Sequence, residues 1–235
     1  MLVESDELPK TSQITEYTFE EVFNEVVDSG DEAIVITLSS KLSGTNNSAV
    51  QAAEQFGGKI QVVDSLSAAI GERLLCQLAL KFIAEGKTLL EIKEELEKAK
   101  QKLVVMGVLE TLEYLKKGGR ISSTVAFVGN VLSIKPVVKI IDGEVKMIGK
   151  AIGSKKGNNL LNTTIQNGNG IDFSLPYGVV WSGFDDTLMR KYVNDSAHVW
   201  KDEVDNIPSY MLGATIGTHV GPGVVAVAYF EKENR

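Results

Sequence analysis

From Thr18 to Leu109 the chain repeats one pattern: apolar residues at helical spacing, then a short unbroken run of β-branched and aliphatic residues, then a helix again. Unbroken runs at 33–38, 60–63 and 103–109 are bounded by polar residues, as expected for strands covered on both faces. Strands that alternate with helices are joined by crossovers, and crossovers produce a parallel sheet with helices packed on it. Thr18 with Glu21 has capping-box spacing, and Phe19, Val22, Phe23, Val26 and Val27 follow as one face of a helix that Gly30 can end. Thr88 with Glu91 repeats the signal ahead of Leu89, Ile92, Leu96 and Ala99, with a solvated Glu/Lys face opposite. Two more helices fit near 47–56 and 67–85.

Beyond Leu109 the pattern changes. Helices near 111–117 and 123–132 lead into a hairpin, in which Asp142-Gly143 joins apolar runs at 137–141 and 145–148. Residues 158–169 are polar and read as a short, weak helix or a loop. A strand at 178–181 and a helix at 186–199 follow, then strands at 209–216 and 224–230 around a glycine-rich loop that carries His219. The expected fold is α/β in two domains, with a parallel Rossmann-like sheet in residues 1–100 and a mixed sheet with helices in 101–235.

A net charge of -7, with no cluster of Lys and Arg interleaved with aromatics, excludes nucleic acid as a partner. The longest apolar runs are of strand length, so no transmembrane segment is legible, and no basic N-terminal region precedes an apolar stretch. These features read as cytoplasmic. A single cysteine excludes a disulfide framework and a multi-thiolate metal site; Cys76 lies in an apolar helical run and is expected to be buried.

Candidate site residues each have a plain structural reading beside the functional one. Ser43 and Gly44 follow a strand and enter a helix, where an anion is favoured by free amides and where a serine can equally cap the helix. Thr11, in Thr11-Ser12-Gln13, suits turn chemistry ahead of the first helix. His219 sits among Gly217, Gly221, Pro222 and Gly223 and can donate to a carboxylate or be merely structural. Gly118-Gly119-Arg120 ends a helix; Arg120 complements the helix dipole and is able to reach an acyl carboxylate or a phosphate. Catalytic signatures are sparse: there is no phosphate-cradling Gly-rich loop, zinc-spaced His pair or Gly-x-Ser-x-Gly elbow. Ser43 with His219 leaves open a Ser/His acyl hydrolase, although no third orienting acid is singled out.

Taken together, Thr11-Ser12-Gln13, Ser39-Ser40-Lys41-Leu42-Ser43-Gly44-Thr45, Val62-Val63-Asp64-Ser65, residues 112–122 with Gly118-Gly119-Arg120-Ile121-Ser122, Ile134-Lys135-Pro136 and Gly217-Thr218-His219-Val220-Gly221-Pro222-Gly223 resemble the DegV family in order and spacing. The resemblance implies a two-domain protein that holds one long-chain fatty acid in an interdomain tunnel. It presents that acid to the catalytic subunit of a fatty acid kinase for acyl-phosphate formation, with no cofactor of its own. Thr11, Ser43 and Gly44 match the carboxylate-binding blocks, His219 the carboxylate network and Arg120 the carboxylate region or kinase contact. Three departures accompany the match. The family's first strand has no counterpart before Thr11, so the parallel sheet is expected to lack it. Ile14 stands where proline is usual, and residues 158–169 are polar where a longer amphipathic helix is typical. A structural or regulatory homologue with no ligand is therefore a further reading.

Overall fold

The structure is a computed structural model that describes residues 8–122, 134–200 and 206–233. The helix expected at 123–132 lies outside the described residues. The chain divides into two compact units. The first takes the chain up to Thr11, then Val104–Ile141 and everything from Val145 onward; the second takes Ser12–Leu103 with Asp142–Glu144.

In the second unit α1 (Glu16–Asp28) starts one turn earlier than its capping-box pattern suggested, because Thr15 is the cap and its hydroxyl accepts from Thr18 N at 3.2 Å. Phe23 is buried with Ala52 and Ile60, and Phe19, Val26 and Val27 pack beside them. The strands β1 (Ala33–Thr37) and β2 (Ile60–Asp64) pair in parallel with Ala33 opposite Ile60 and Thr37 opposite Asp64. The parallel sheet of this unit has two strands among the described residues. Crossing between them is α2 (Thr45–Ala53), and α3 (Ile70–Ala84) and α4 (Leu89–Ala99) follow. The Thr88–Glu91 capping box is formed in both directions, since Thr88 N donates to the Glu91 carboxylate at 2.8 Å. Cys76 is exposed, not buried: Leu74, Leu75, Leu78 and Ala79 take the inward face of α3 and leave position 76 on the other side.

The first unit is built on a six-stranded mixed sheet: β3 (Leu103–Val108), β4 (Ile134–Ile141), β5 (Glu144–Ile152), β6 (Gly178–Trp181), β7 (Ser209–Met211) and β8 (Val225–Phe230). Their spatial order is β5-β4-β3-β8-β6-β7. The β3/β4 and β6/β8 pairs are antiparallel, whereas β6/β7 is parallel. Asp142 and Gly143 turn the hairpin at φ values of 52° and 81°, the positive φ that a two-residue turn needs at both positions. The helices are α5 (Glu113–Lys117), α6 (Gly153–Asn167), α7 (Thr187–Asp195), α8 (Ala197–Trp200) and α9 (Ala214–Val220).

Two readings from the sequence need correction here. The polar stretch at 158–169 belongs, up to Asn167, to the 15-residue helix α6, whose buried Asn158, Leu161, Asn162 and Ile165 recur at three- and four-residue spacing. Two of those four positions are asparagines, and the Asn162 amide donates to Ser196 Oγ at 2.9 Å. The strand expected at 209–216 stops at Met211; Gly213 caps α9, and His219 lies in the last turn of that helix, not in a loop. A core of Met106, Val137, Leu161, Val179, Tyr192, Trp200 and Val227 fills one face of the sheet, and a smaller cluster of Leu109, Leu112, Leu115, Ile121 and Val224 lies by α5.

Candidate functional site

In the second unit the candidate residues stand on loops that leave the carboxyl ends of β1 and β2, where open α/β sheets place ligands. These loops are bonded to one another. Ser39 N donates to Ser67 O at 2.7 Å, and Asp64 accepts from Ser40 N at 3.2 Å and from Leu66 N at 3.0 Å. Ser65 and Ser67 close a further turn, in which Ser67 N donates to Ser65 Oγ at 3.0 Å. Leu66 and Ala69 take φ values of 48° and 54°, a region that side chains bearing a Cβ rarely adopt. Ser39, with 0% of its surface exposed, donates through Oγ to Gly143 O at 2.8 Å.

Ser43 forms a local turn at the start of α2: its Oγ accepts from Thr45 N at 3.3 Å and lies 3.0 Å from Thr45 Oγ1. Gly44 is the residue at the start of α2, with an ordinary φ of -72°. Its lack of a side chain matters for space, because a Cβ there would overlap the carboxamide of Gln13. Gln13 thereby reaches Ser48 Oγ at 3.1 Å, while Ile14 N donates to Thr45 Oγ1 at 3.2 Å. The block after Thr11 is thus held against the start of α2, with Ile14 filling the position where proline was expected.

In the first unit Thr11 Oγ1 and His219 Nε2 lie 2.8 Å apart. His219 Nδ1 is buried and has no hydrogen-bond partner among the described residues. Burial, with the Arg120 guanidinium beside it, holds the imidazole below its usual pKa. Arg120 is placed by the end of α5: Gly119, at φ 69°, donates to Lys116 O at 3.0 Å, and Arg120 N donates to Leu115 O at 2.9 Å, a Schellman ending. Its guanidinium donates to Gly118 O at 2.6 Å. Thr11, His219 and Arg120 therefore form one constellation, a hydroxyl, a neutral imidazole and a cation, which is suited to binding an anion. Ser43 and Gly44 belong to the second unit.

Tyr114 and Ser182 of the first unit escaped the sequence reading, as did the steric roles of Gly118 and Gly221. A Cβ at Gly118 would overlap His219 Nδ1, and one at Gly221, where φ is 74°, would overlap the ring of Tyr114. Ser182 Oγ donates to Gly221 O at 2.7 Å and accepts from Val224 N at 3.1 Å, bracing the Gly221-Pro222-Gly223 turn. The position of Ser182 just past the carboxyl end of β6 was the available signal. Tyr114, Ser182, Phe184, Met211, Thr218 and Pro222 line a cleft of about 310 Å³, at the lower end of the range for small-molecule sites. Among the described residues no helix is long and apolar enough to cross a membrane, and no group of three or more His, Cys, Asp or Glu side chains could hold a metal ion.

The family model described as "Uncharacterised protein, DegV family" matches residues 1–232. A DegV domain-containing protein of Caldanaerobacter subterraneus subsp. tengcongensis is 32% identical over 98% of this chain and 82% of its own length. Another, from Clostridium perfringens, is 34% identical over 94% of this chain and 77% of its own. Among solved structures, a DegV family protein from Thermus thermophilus described as fatty acid binding is 30% identical, with a TM-score of 0.80 over 95% of this chain and 79% of the other. A DegV lipid binding protein from Thermotoga maritima is 27% identical, with a TM-score of 0.82 over 99% and 80%. A family model that runs almost from end to end, relatives above 30% identity and the same fold in solved structures agree: the chain belongs to the DegV family.

Proposed function

We propose that the chain binds one long-chain fatty acid and presents its carboxylate to a separate fatty acid kinase, catalysing nothing alone. Thr11, His219 and Arg120 of the first unit and Ser43 and Gly44 of the second are the residues assigned to the ligand. The observation that carries this reading is the Thr11–His219 pair at 2.8 Å with the Arg120 guanidinium beside it, in a chain 30% identical to a fatty-acid-binding DegV protein. The magnitudes are adequate. Burying ~14 methylenes gains on the order of 11 kcal/mol at ~0.8 kcal/mol each, and lost motional freedom returns several kcal/mol of it. A few donors at the headgroup then suffice for tight binding.

The test is mass spectrometry of an organic extract of the purified protein, normalised to protein and compared with an unrelated protein expressed identically. Near-stoichiometric fatty acid is expected. No enrichment, together with no uptake of added stearate, would refute the binding reading. Turnover of acyl esters that is abolished by Ser43→Ala would replace the carrier with a hydrolase.

A further inference from the structure

The Thr11–His219 contact has a direction, and the space at Gly118 sets it. A neutral imidazole has one N–H, on either Nδ1 or Nε2, and the partner of one nitrogen decides the state of the other. Here Nδ1 is buried, unpartnered among the described residues and pressed against Gly118 so closely that a Cβ would overlap it. An orphaned buried N–H is rarer in folded proteins than an unfilled acceptor, so a proton on Nδ1 is disfavoured. The Arg120 guanidinium, anchored on Gly118 O at 2.6 Å, disfavours the doubly protonated ring, so that His219 carries a single N–H.

We propose that His219 carries its proton on Nε2 and donates it to Thr11 Oγ1, which turns the Thr11 hydroxyl proton outward as a donor for an anionic headgroup. Gly118 is the positioning residue that fixes this arrangement by sealing Nδ1 against its backbone. With the imidazole donating, Thr11 no longer has to choose between giving its proton to His219 and giving it to a ligand carboxylate. The consequence for a ligand rests on the fatty acid reading; the tautomer does not.

The experiment is long-range ¹H–¹⁵N NMR of the full chain at neutral pH, which reports the protonation of each ring nitrogen directly. The chain has two histidines, so His198→Gln identifies the other signal. The expected spectrum shows His219 with Nε2 protonated and Nδ1 bare, and Gly118→Ala is expected to displace the ring and abolish that pattern. A wild-type spectrum with Nδ1 protonated overturns the proposal. Stearate titrations supply the second readout: His219→Gln keeps an uncharged N–H donor and is expected to bind within about threefold of wild type, while His219→Ala loses about tenfold or more. Equal losses in the two variants overturn the donor role. The expected spectrum without stearate binding supports the tautomer and refutes the fatty acid reading instead.

Discussion

In the first unit His219 and Tyr114 stand where they do because Gly118 and Gly221 leave out two side chains; in the second, Ser43 stands where it does because Ser39, Asp64, Ser65 and Ser67 bond their loops to one another. The first device is steric. An added methyl meets a ring at each position, that of His219 at Gly118 and that of Tyr114 at Gly221. The second is a lattice of hydrogen bonds whose members can be removed one at a time. Placement by excluded volume should fail abruptly, whereas placement by hydrogen bonds should fail in increments.

The largest expected effect is at Gly221. Alanine there must hold a φ of 74° and push into the Tyr114 ring, so Gly221→Ala should cost about 3–4 kcal/mol in urea denaturation. A loss under about 1 kcal/mol would show that the steric description is wrong. Next comes the second unit's own exception, Glu72, whose carboxyl is pushed up from 4.5 to about 7 by burial. A raised carboxyl pKa means that the folded state holds the proton more tightly than the unfolded state. Its stabilising contribution is complete below pH 4.5 and is lost as the pH rises through about 7. Glu72→Gln should therefore match wild type in acid and exceed it by up to about 3 kcal/mol near pH ~8, measured by denaturation across pH. A variant equally stable with wild type at both ends would remove Glu72 from the account.

Smaller effects sharpen the contrast. Ser39→Ala strips the buried Gly143 carbonyl of its donor and should cost about 2 kcal/mol, read by the same denaturation curve. Gly44→Ala looks on paper like Gly221→Ala, since a Cβ would overlap a neighbour at each. At Gly44, however, φ is ordinary and the neighbour is the far end of the exposed Gln13 side chain, which can swing away. The loss should be about 1 kcal/mol, the worth of the Gln13–Ser48 hydrogen bond. A penalty as large at Gly44 as at Gly221 would erase the distinction between the two units.

Much of the architecture was legible because local chemistry and tertiary structure agree. Thr88–Glu91 closes the capping box its spacing announces, and Asp142-Gly143 turns the hairpin its φ preferences favour. The misreadings fall where an apolar count was the wrong measure. In α6 two of the five buried positions are asparagine and one is glycine, so a true helical period looked polar. At Cys76 an apolar residue was counted inward although its neighbours at 74, 75, 78 and 79 already occupy that face. Residues 214–216 read as strand from composition, yet Gly213 starts a helix there. Of the candidate site, the hydroxyls, His219 and Arg120 stood out as chemistry. The packing of Gly118 against His219 and of Tyr114 against Gly221 did not, because one contributes an absence of atoms and the other a wall, and neither has a signature before the chain is folded.

Thr11 and His219 are 208 positions apart, which makes their contact among the last that a growing chain can form. Ser12–Leu103 is synthesised between them, and all its residues are available before His219 exists. Closing so long a loop comes late in folding, since many shorter contacts must first restrict the chain. The polar pair therefore marks completion of the chain: a nascent chain, or one clipped ahead of α9, has the threonine without the imidazole that pairs with it.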